Sequence, residues 1–239
     1  TDTDYVGPIR SGRPTDPTVL RPMNAVMVFS GGQDWIVNLI VSRGVKLIGE
    51  VDGTYRISSR RAPHNLYGDT EALRGVADGR GYGDEYGRMI YTIAPWDDLP
   101  DEEAETISLS WSTSTLYSWQ YRDGEYYRSV GVESPIPHNR TDRDGNVEQI
   151  SAEVLVVIEG TRYTAFPAAG VKGNAVPAIE TTGSGQVSIF YRGRVMTGTW
   201  ERSDITEPFA FFDESGDPMT VPPGKPWIMI FPEQRAVRW

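Results

Sequence analysis

Arg10 and Arg13 stand three residues apart in Val6-Gly-Pro-Ile-Arg-Ser-Gly-Arg-Pro-Thr-Asp16, a stretch stiffened by Pro8 and Pro14 and turned by Gly7 and Gly12. Guanidinium groups are planar forks of permanently charged donors that suit phosphate and carboxylate oxygens, so the chemistry such a segment offers is anion binding. Ser11 and the Gly12 N–H would add neutral donors. A second basic cluster, Arg56-Ile-Ser-Ser-Arg60-Arg61-Ala-Pro-His64-Asn65, has the same character. If the fold brings the two together, Arg10, Ser11, Arg13, Arg56, Arg60, Arg61, His64 and Asn65 form one candidate ligand-binding pocket. The bland alternative is that these arginines bridge to carbonyls or to Asp16, as structural arginines commonly do.

Other chemistry is poorly supported. The chain has no cysteine, which excludes thiolate catalysis, disulfides and Cys-based metal sites. The only two histidines sit in Pro63-His64-Asn65 and Pro137-His138-Asn139 without the spacing of a metal site; His64, beside Arg60 and Arg61, could serve as a general acid or base, although a hydrogen-bonded structural role outweighs that. No metal and no cofactor are expected. Gly31-Gly32 after an apolar run lacks the full dinucleotide or phosphate-loop spacing, so a tight turn is the better reading, and Gly79-Arg-Gly81-Tyr-Gly83 reads as a flexible loop. Ser30 has no nucleophile-elbow context. Aligning Gly145 with the sixth position of a calcium loop puts Arg140 first and Ser151 last, both poor ligands, which leaves a turn. Asn139-Arg-Thr141 is a sequon only in a glycosylating host. Trp111, Tyr117, Trp119, Tyr121, Tyr126 and Tyr127 could stack on a sugar, although at least half should be core or cross-strand pairs.

The net charge of −10 argues against general nucleic-acid binding, which needs a basic surface. Charge is uneven, however: residues 1–61 hold 8 Lys and Arg against 6 Asp and Glu, and the remainder holds 15 against 27. No apolar run approaches the roughly 18 residues of a membrane span. Thr1-Asp-Thr-Asp4 reads as an arbitrary start, as of a mature or trimmed chain.

These residues have to be positioned by elements of two textures. Asn24–Ser30 is an apolar run fit for a buried strand, Asp34 can cap a helix carrying Trp35, Ile36, Leu39 and Ile40, and Gly44 precedes a strand at Val45–Ile48, which together make a β-α-β pattern. A short helix is expected over Thr70–Val76. From about residue 105 strands follow one another between turn signals, with Asp123-Gly124 a two-residue hairpin turn and Trp227–Phe231, apolar on both faces, an expected central strand. The fold class is therefore α+β: an α/β N-terminal domain over 1–105, then a β-rich, mostly antiparallel C-terminal domain over 106–239.

Val6–Asp16, Ser30-Gly-Gly32, Ser58–Leu66, Gly198-Thr-Trp200 and Pro223-Gly-Lys-Pro-Trp227 resemble the YerB-type lipoprotein family of bacteria, whose domains have no assigned function. The resemblance implies an α/β N-terminal domain, a smaller β-rich C-terminal one, and one or two strands supplied by a stretch leading into Val6. It also implies an extracytoplasmic cell-envelope protein, anchored to the membrane through a lipidated cysteine that this sequence does not contain. The arginine segment is distantly similar to that of LytR-CpsA-Psr phosphotransferases, an analogy at fold level alone.

The leading expectation is a non-enzymatic envelope protein whose partner is an anionic, phosphorylated envelope component or a cell-wall synthesis protein. One alternative is a phosphotransferase or hydrolase acting on a phosphorylated lipid or glycan, for which Asp16, Asp34, Asp69 and Asp84 are the available carboxylates. Another is a protein-binding scaffold.

Overall fold

The computed structural model describes residues 4–50, 52–83, 85–142 and 144–239; the first three residues of the expected arbitrary start and the candidate carboxylate Asp84 lie outside the described residues. The chain divides into two compact units: residues 4–90 with 142–146 and 164–178, and residues 91–141 with 147–163 and 179–239. The first unit thus takes part of its substance from well beyond residue 105.

In chain order the first unit contains β1 (Tyr5–Val6), α1 (Asp16–Leu20), β2 (Val26–Val28), α2 (Asp34–Ser42), β3 (Lys46–Ile48), β4 (Thr54–Arg56), β5 (Leu66–Asp69) and α3 (Thr70–Gly79). The β-α-β pattern is present, with β2 and β3 parallel in the register Val26↔Lys46 and Val28↔Ile48. The helical spacing of Trp35, Ile36 and Ile40 turns them onto one face, where they pack with Phe29, Val45 and Leu47 in an apolar cluster joined by Ala165 and Val176. Gln33 occupies the cap position and Asp34 is the first helical residue, where its charge complements the helix dipole instead of capping. Gly44 follows the helix at φ +76°. β2 is half-buried along its length, not the buried strand its apolar composition suggests, because among the described residues only β3 pairs with it. β1, β5 and β4 make a separate antiparallel sheet in that order.

α3 runs three residues further than expected. The Asp69 carboxylate accepts the Ala72 N–H at 2.9 Å, a conventional N-cap, and the helix ends only at Gly79. The glycine-rich stretch behind it is pinned to β3: Arg80 Nη1 and the Tyr82 hydroxyl both donate to the Leu47 carbonyl, at 2.8 and 2.9 Å. It is neither a free loop nor a phosphate cradle.

The second unit is the larger and is built from strands, against the smaller C-terminal domain that the resemblance implies. One sheet is formed, in order, by Ser151–Ala152, β8 (Glu125–Val130), β7 (Thr115–Arg122), β6 (Thr106–Ser112) and Val237–Arg238, with Ile136–Pro137 also on β8. The other runs Pro218–Met219, Ala210–Phe212, Arg194–Arg202, Gly183–Tyr191, Val154–Gly160 and Pro226–Pro232. Among the described strands of these two sheets the pairings are antiparallel except that between Val154–Gly160 and Pro226–Pro232. Their inward faces share one core, in which Ile107, Leu109 and Trp119 meet Leu155, Val157, Phe190 and Phe231.

Pro226–Pro232, expected as a central strand, stands at the end of its sheet, paired among the described residues with Val154–Gly160 alone. Phe231 reaches the core, and Trp227 and Met229 pack against it from partly buried positions. The strand buried along nearly its whole length is Val154–Gly160. Asp123 and Gly124, at φ +51° and +88°, make the tight turn between β7 and β8, and Arg192-Gly193 repeats it at +51° and +74° between the next long pair.

Candidate functional site

The two arginine segments meet in the first unit. Arg10 is held by its backbone: the Ile9 N–H donates to the Leu66 carbonyl at 2.7 Å, the Ser30 N–H to the Arg10 carbonyl at 3.0 Å, and the Gly12 N–H to the Gly31 carbonyl at 3.0 Å. Gly12 packs closely on the core, where an added Cβ would stand 2.7 Å from Ile40 Cδ1 and displace that methyl group. With Ile9 and Gly12 buried, Arg10 between them projects outward. Its Nη1 lies 3.0 Å from His64 Nδ1 and donates to the Pro63 carbonyl at 3.0 Å, a junction across 54 positions of sequence. A guanidinium only donates, so Nδ1 is the acceptor in this contact and the ring proton sits on Nε2.

His64 is presented by a closed loop. Ile57 N–H donates to the Asn65 carbonyl at 2.9 Å, the Asn65 amide returns to the Ile57 carbonyl at 3.4 Å, and the His64 N–H closes a turn on the Arg61 carbonyl at 3.0 Å. Arg61 is exposed on that turn, and its guanidinium has no hydrogen-bond or ion-pair partner among the described residues.

The remaining candidates are used internally. Arg13 Nη1 folds back on the carbonyls of Ser11 and Gly12, at 3.3 and 3.0 Å, and its N–H donates to Asp16 Oδ2 at 2.7 Å. Arg56 grips Glu50 with two N–H groups, at 3.1 and 3.0 Å, and holds Asn65 Oδ1 at 2.8 Å. Arg60 is half-buried with Nη1 3.5 Å from the Tyr67 hydroxyl. Arg13, Arg56 and Asn65 therefore shape the loops, while Arg10, Arg61 and His64 face outward. Ser11 contributes its carbonyl to Arg13 and lines, with Arg10 and Asp16, an open depression. Burial pushes the Asp16 carboxyl above its usual range, against the lowering effects of the Arg13 N–H and charge.

Of the other carboxylates, Asp69 is committed to its cap and Asp34 begins α2. Among the described residues no group of three or more His, Asp or Glu side chains could hold a metal ion, and no helix is long and apolar enough to cross a membrane. In the second unit, the His138 ring stacks on Tyr117 at 6.4 Å and its Nδ1 takes an N–H from Arg128. That guanidinium is buried over the rings of Tyr117, at 4.1 Å, and Trp227, at 4.9 Å. His138 is a structural histidine. The aromatic stretch is likewise used within the unit: Trp119 and Tyr126 are buried, Tyr117 and Tyr121 pack on the core, Arg122 covers the Tyr127 ring at 4.0 Å, and Trp111 packs on Phe231. The Asp142 carboxylate accepts from the N–H groups of Asp144 and Asn146, at 2.9 and 2.8 Å, which makes that segment an Asx-type turn.

Sequence reasoning missed Arg202. It is buried and donates to the carbonyls of Glu207 and Ile205, both at 2.7 Å, under the Phe209 ring, and burial lowers its pKa to about 10. Nothing in Trp200-Glu-Arg-Ser203 distinguishes it from a surface arginine on an edge.

The family model for the N-terminal domain of a protein of unknown function, DUF3048, matches residues 1–83, and that for its C-terminal domain matches 106–228. Among solved structures, the crystal structure of the YerB protein from Bacillus subtilis matches with a TM-score of 0.74 at 18% identity, over 99% of this chain and 78% of that one. At that identity the likeness concerns the fold. No curated protein matches. With both of its domain models matched in order, the chain belongs to the DUF3048 family of unknown function.

Proposed function

We propose that the protein is a non-enzymatic component of the bacterial cell envelope that binds a phosphorylated envelope molecule through Arg10, Arg61 and His64. The observation that carries this reading is the junction of Arg10 with His64, which sets a permanent cation beside an imidazole on a turn that also exposes Arg61. One phosphate can take N–H groups from two guanidinium forks and from His64 Nε2 at little conformational cost, since Arg10 is already held by Pro63. Extracytoplasmic placement, and attachment to the membrane by a lipid in the natural protein, rest on the family resemblance. The test is cosedimentation with vesicles of neutral lipid doped with a polyprenyl phosphate. Binding that falls roughly tenfold or more in Arg10→Ala supports the reading, that factor being what one charged hydrogen bond supplies. Binding unchanged in Arg10→Ala contradicts it.

The enzymatic alternative draws on Asp16, whose burial favours a protonated carboxyl beside the depression that Arg10 and Ser11 line. On that reading water attacks the phosphorus of a phosphorylated lipid or glycan as the ester P–O bond breaks, Asp16 gives its proton to the leaving oxygen, and the carboxylate takes up the proton that the water loses. Phosphate release from such a substrate that is abolished in Asp16→Asn favours this second reading over the first.

A further inference from the structure

We propose that anion binding at Arg10 is coupled to proton uptake by His64, so that acid strengthens the grip of the site on a doubly charged oxyanion such as a terminal phosphate. Such coupling rests on the anion site proposed above and adds its control by pH.

The two histidines of the chain share a local arrangement. Each follows a proline and precedes an asparagine, and each takes an N–H from an arginine on Nδ1. Their surroundings differ. Arg128 is buried over the rings of Tyr117 and Trp227, so its pair with His138 is enclosed by side chains of its own unit. Arg10 and His64 are both exposed, and among the described residues neither meets a carboxylate or an aromatic ring. The second pair is therefore open to an ion from solution.

The contact of Arg10 Nη1 with His64 Nδ1, at 3.0 Å, lasts only while Nδ1 keeps its lone pair. A proton on Nδ1 sets two donors and two positive charges against each other, and the ring has to turn away. An oxyanion resolves that conflict, because one oxygen can accept from Nη1 and from Nδ1–H together while Nε2 and Arg61 supply further donors. With the ring neutral, arginine and imidazole satisfy one another and the anion must compete with their contact. Other charges stand around the pair. Arg60 and Arg61 lie on the His64 loop, and Arg56, itself paired with Glu50, reaches that loop through Asn65. Asp16 lines one depression with Arg10, and its carboxyl, raised by burial, also gains a proton in acid. A bound dianion favours the proton on His64, and by linkage the proton favours the dianion to the same degree.

The experiment is a sulfate titration of the 239-residue chain at constant ionic strength, from about pH 5 to about pH 8, a range that brackets ordinary imidazole titration. Sulfate keeps its double charge throughout, and NMR follows the rings of His64 and His138. Affinity is expected to rise roughly tenfold from the alkaline to the acid limit, and saturating sulfate to move the His64 midpoint up by about one pH unit, the same linkage measured twice. The His138 midpoint should stay in place. In His64→Gln the gain in acid should shrink to the background that Asp16 and the falling negative charge of the chain supply. Should that variant fail to fold, the His64 midpoint of the wild type still decides the matter. Saturable sulfate binding at Arg10 with equal affinity at both limits would overturn the coupling and leave the anion site standing, whereas no saturable binding at either limit would overturn both. An equal gain in wild type and His64→Gln, or equal midpoint shifts of His64 and His138, would also overturn the coupling.

Discussion

Arg10 and Arg13 are alike in type and setting, yet they differ in what their guanidinium groups touch. Arg13 satisfies the carbonyls of its own turn, whereas Arg10 crosses to Pro63 and His64. The segments that should meet were legible from composition, because stiff Gly/Pro-framed basic stretches are recognisable in a sequence. Which arginine would serve the site was not, because that depends on a few ångströms of backbone placement. Asp16 shows the same limit: its carboxyl takes the Arg13 N–H at 2.7 Å, but burial outweighs that bond and raises its pKa. A raised carboxylate pKa contributes stability below the ordinary value of 3.8 and loses it as pH rises through the higher folded value. Asp16→Asn keeps an acceptor for the Arg13 N–H and removes the buried charge. Its urea midpoint at neutral pH is expected to equal or exceed the wild-type value, and its pH dependence above the ordinary carboxylate range should be flatter. A marked loss of stability at neutral pH would show that the charge itself holds the turn.

At the scale of elements, period and turn chemistry carried most of the information. Trp35, Ile36 and Ile40 announced α2, and Asp123-Gly124 announced the β7–β8 turn. Where pairing partners decide, the sequence was mute: an apolar run such as Trp227–Phe231 does not reveal that its strand ends a sheet among the described residues, and Val26–Val28 does not reveal that it pairs with β3. The second tight turn carries its own prediction. Arg192 sits at φ +51°, a conformation costing an ordinary residue roughly 1 kcal/mol and asparagine less. Arg192→Asn should raise stability by about 0.5–1 kcal/mol in urea titration. Gly193→Ala should lower it by at least as much, since the backbone there is at φ +74° and the added Cβ would stand 3.0 Å from the Tyr121 ring.

For the whole molecule, the change of texture near residue 105 located the β-rich part, and the α+β class followed from it. Texture could not show that residues 164–178 return to the first unit, because a contact between distant segments leaves no local pattern. That return has structural weight. The Gln33 amide donates to the Asn174 carbonyl at 3.1 Å and accepts from the Asn174 N–H, Gly173 lies against the Trp35 ring, and Ala165 and Val176 pack on the α2 core. A fragment ending at residue 105 is expected to lack a cooperative thermal transition by circular dichroism, with the Trp35 face of α2 exposed. A fragment that melts as sharply as the full chain would show residues 164–178 to be dispensable.

The most direct measurement is an NMR titration of the full chain with pyrophosphate, following the Arg10 side-chain and His64 ring resonances in the wild type, in Arg10→Ala and in Arg56→Ala. Binding by Arg10 and His64 predicts saturable shifts at both residues, an affinity loss of roughly tenfold to a hundredfold in Arg10→Ala, and a smaller loss in Arg56→Ala, whose arginine is paired with Glu50 and bears on the His64 loop only through Asn65. Shifts confined to other residues, or equal losses in the two variants, would contradict it.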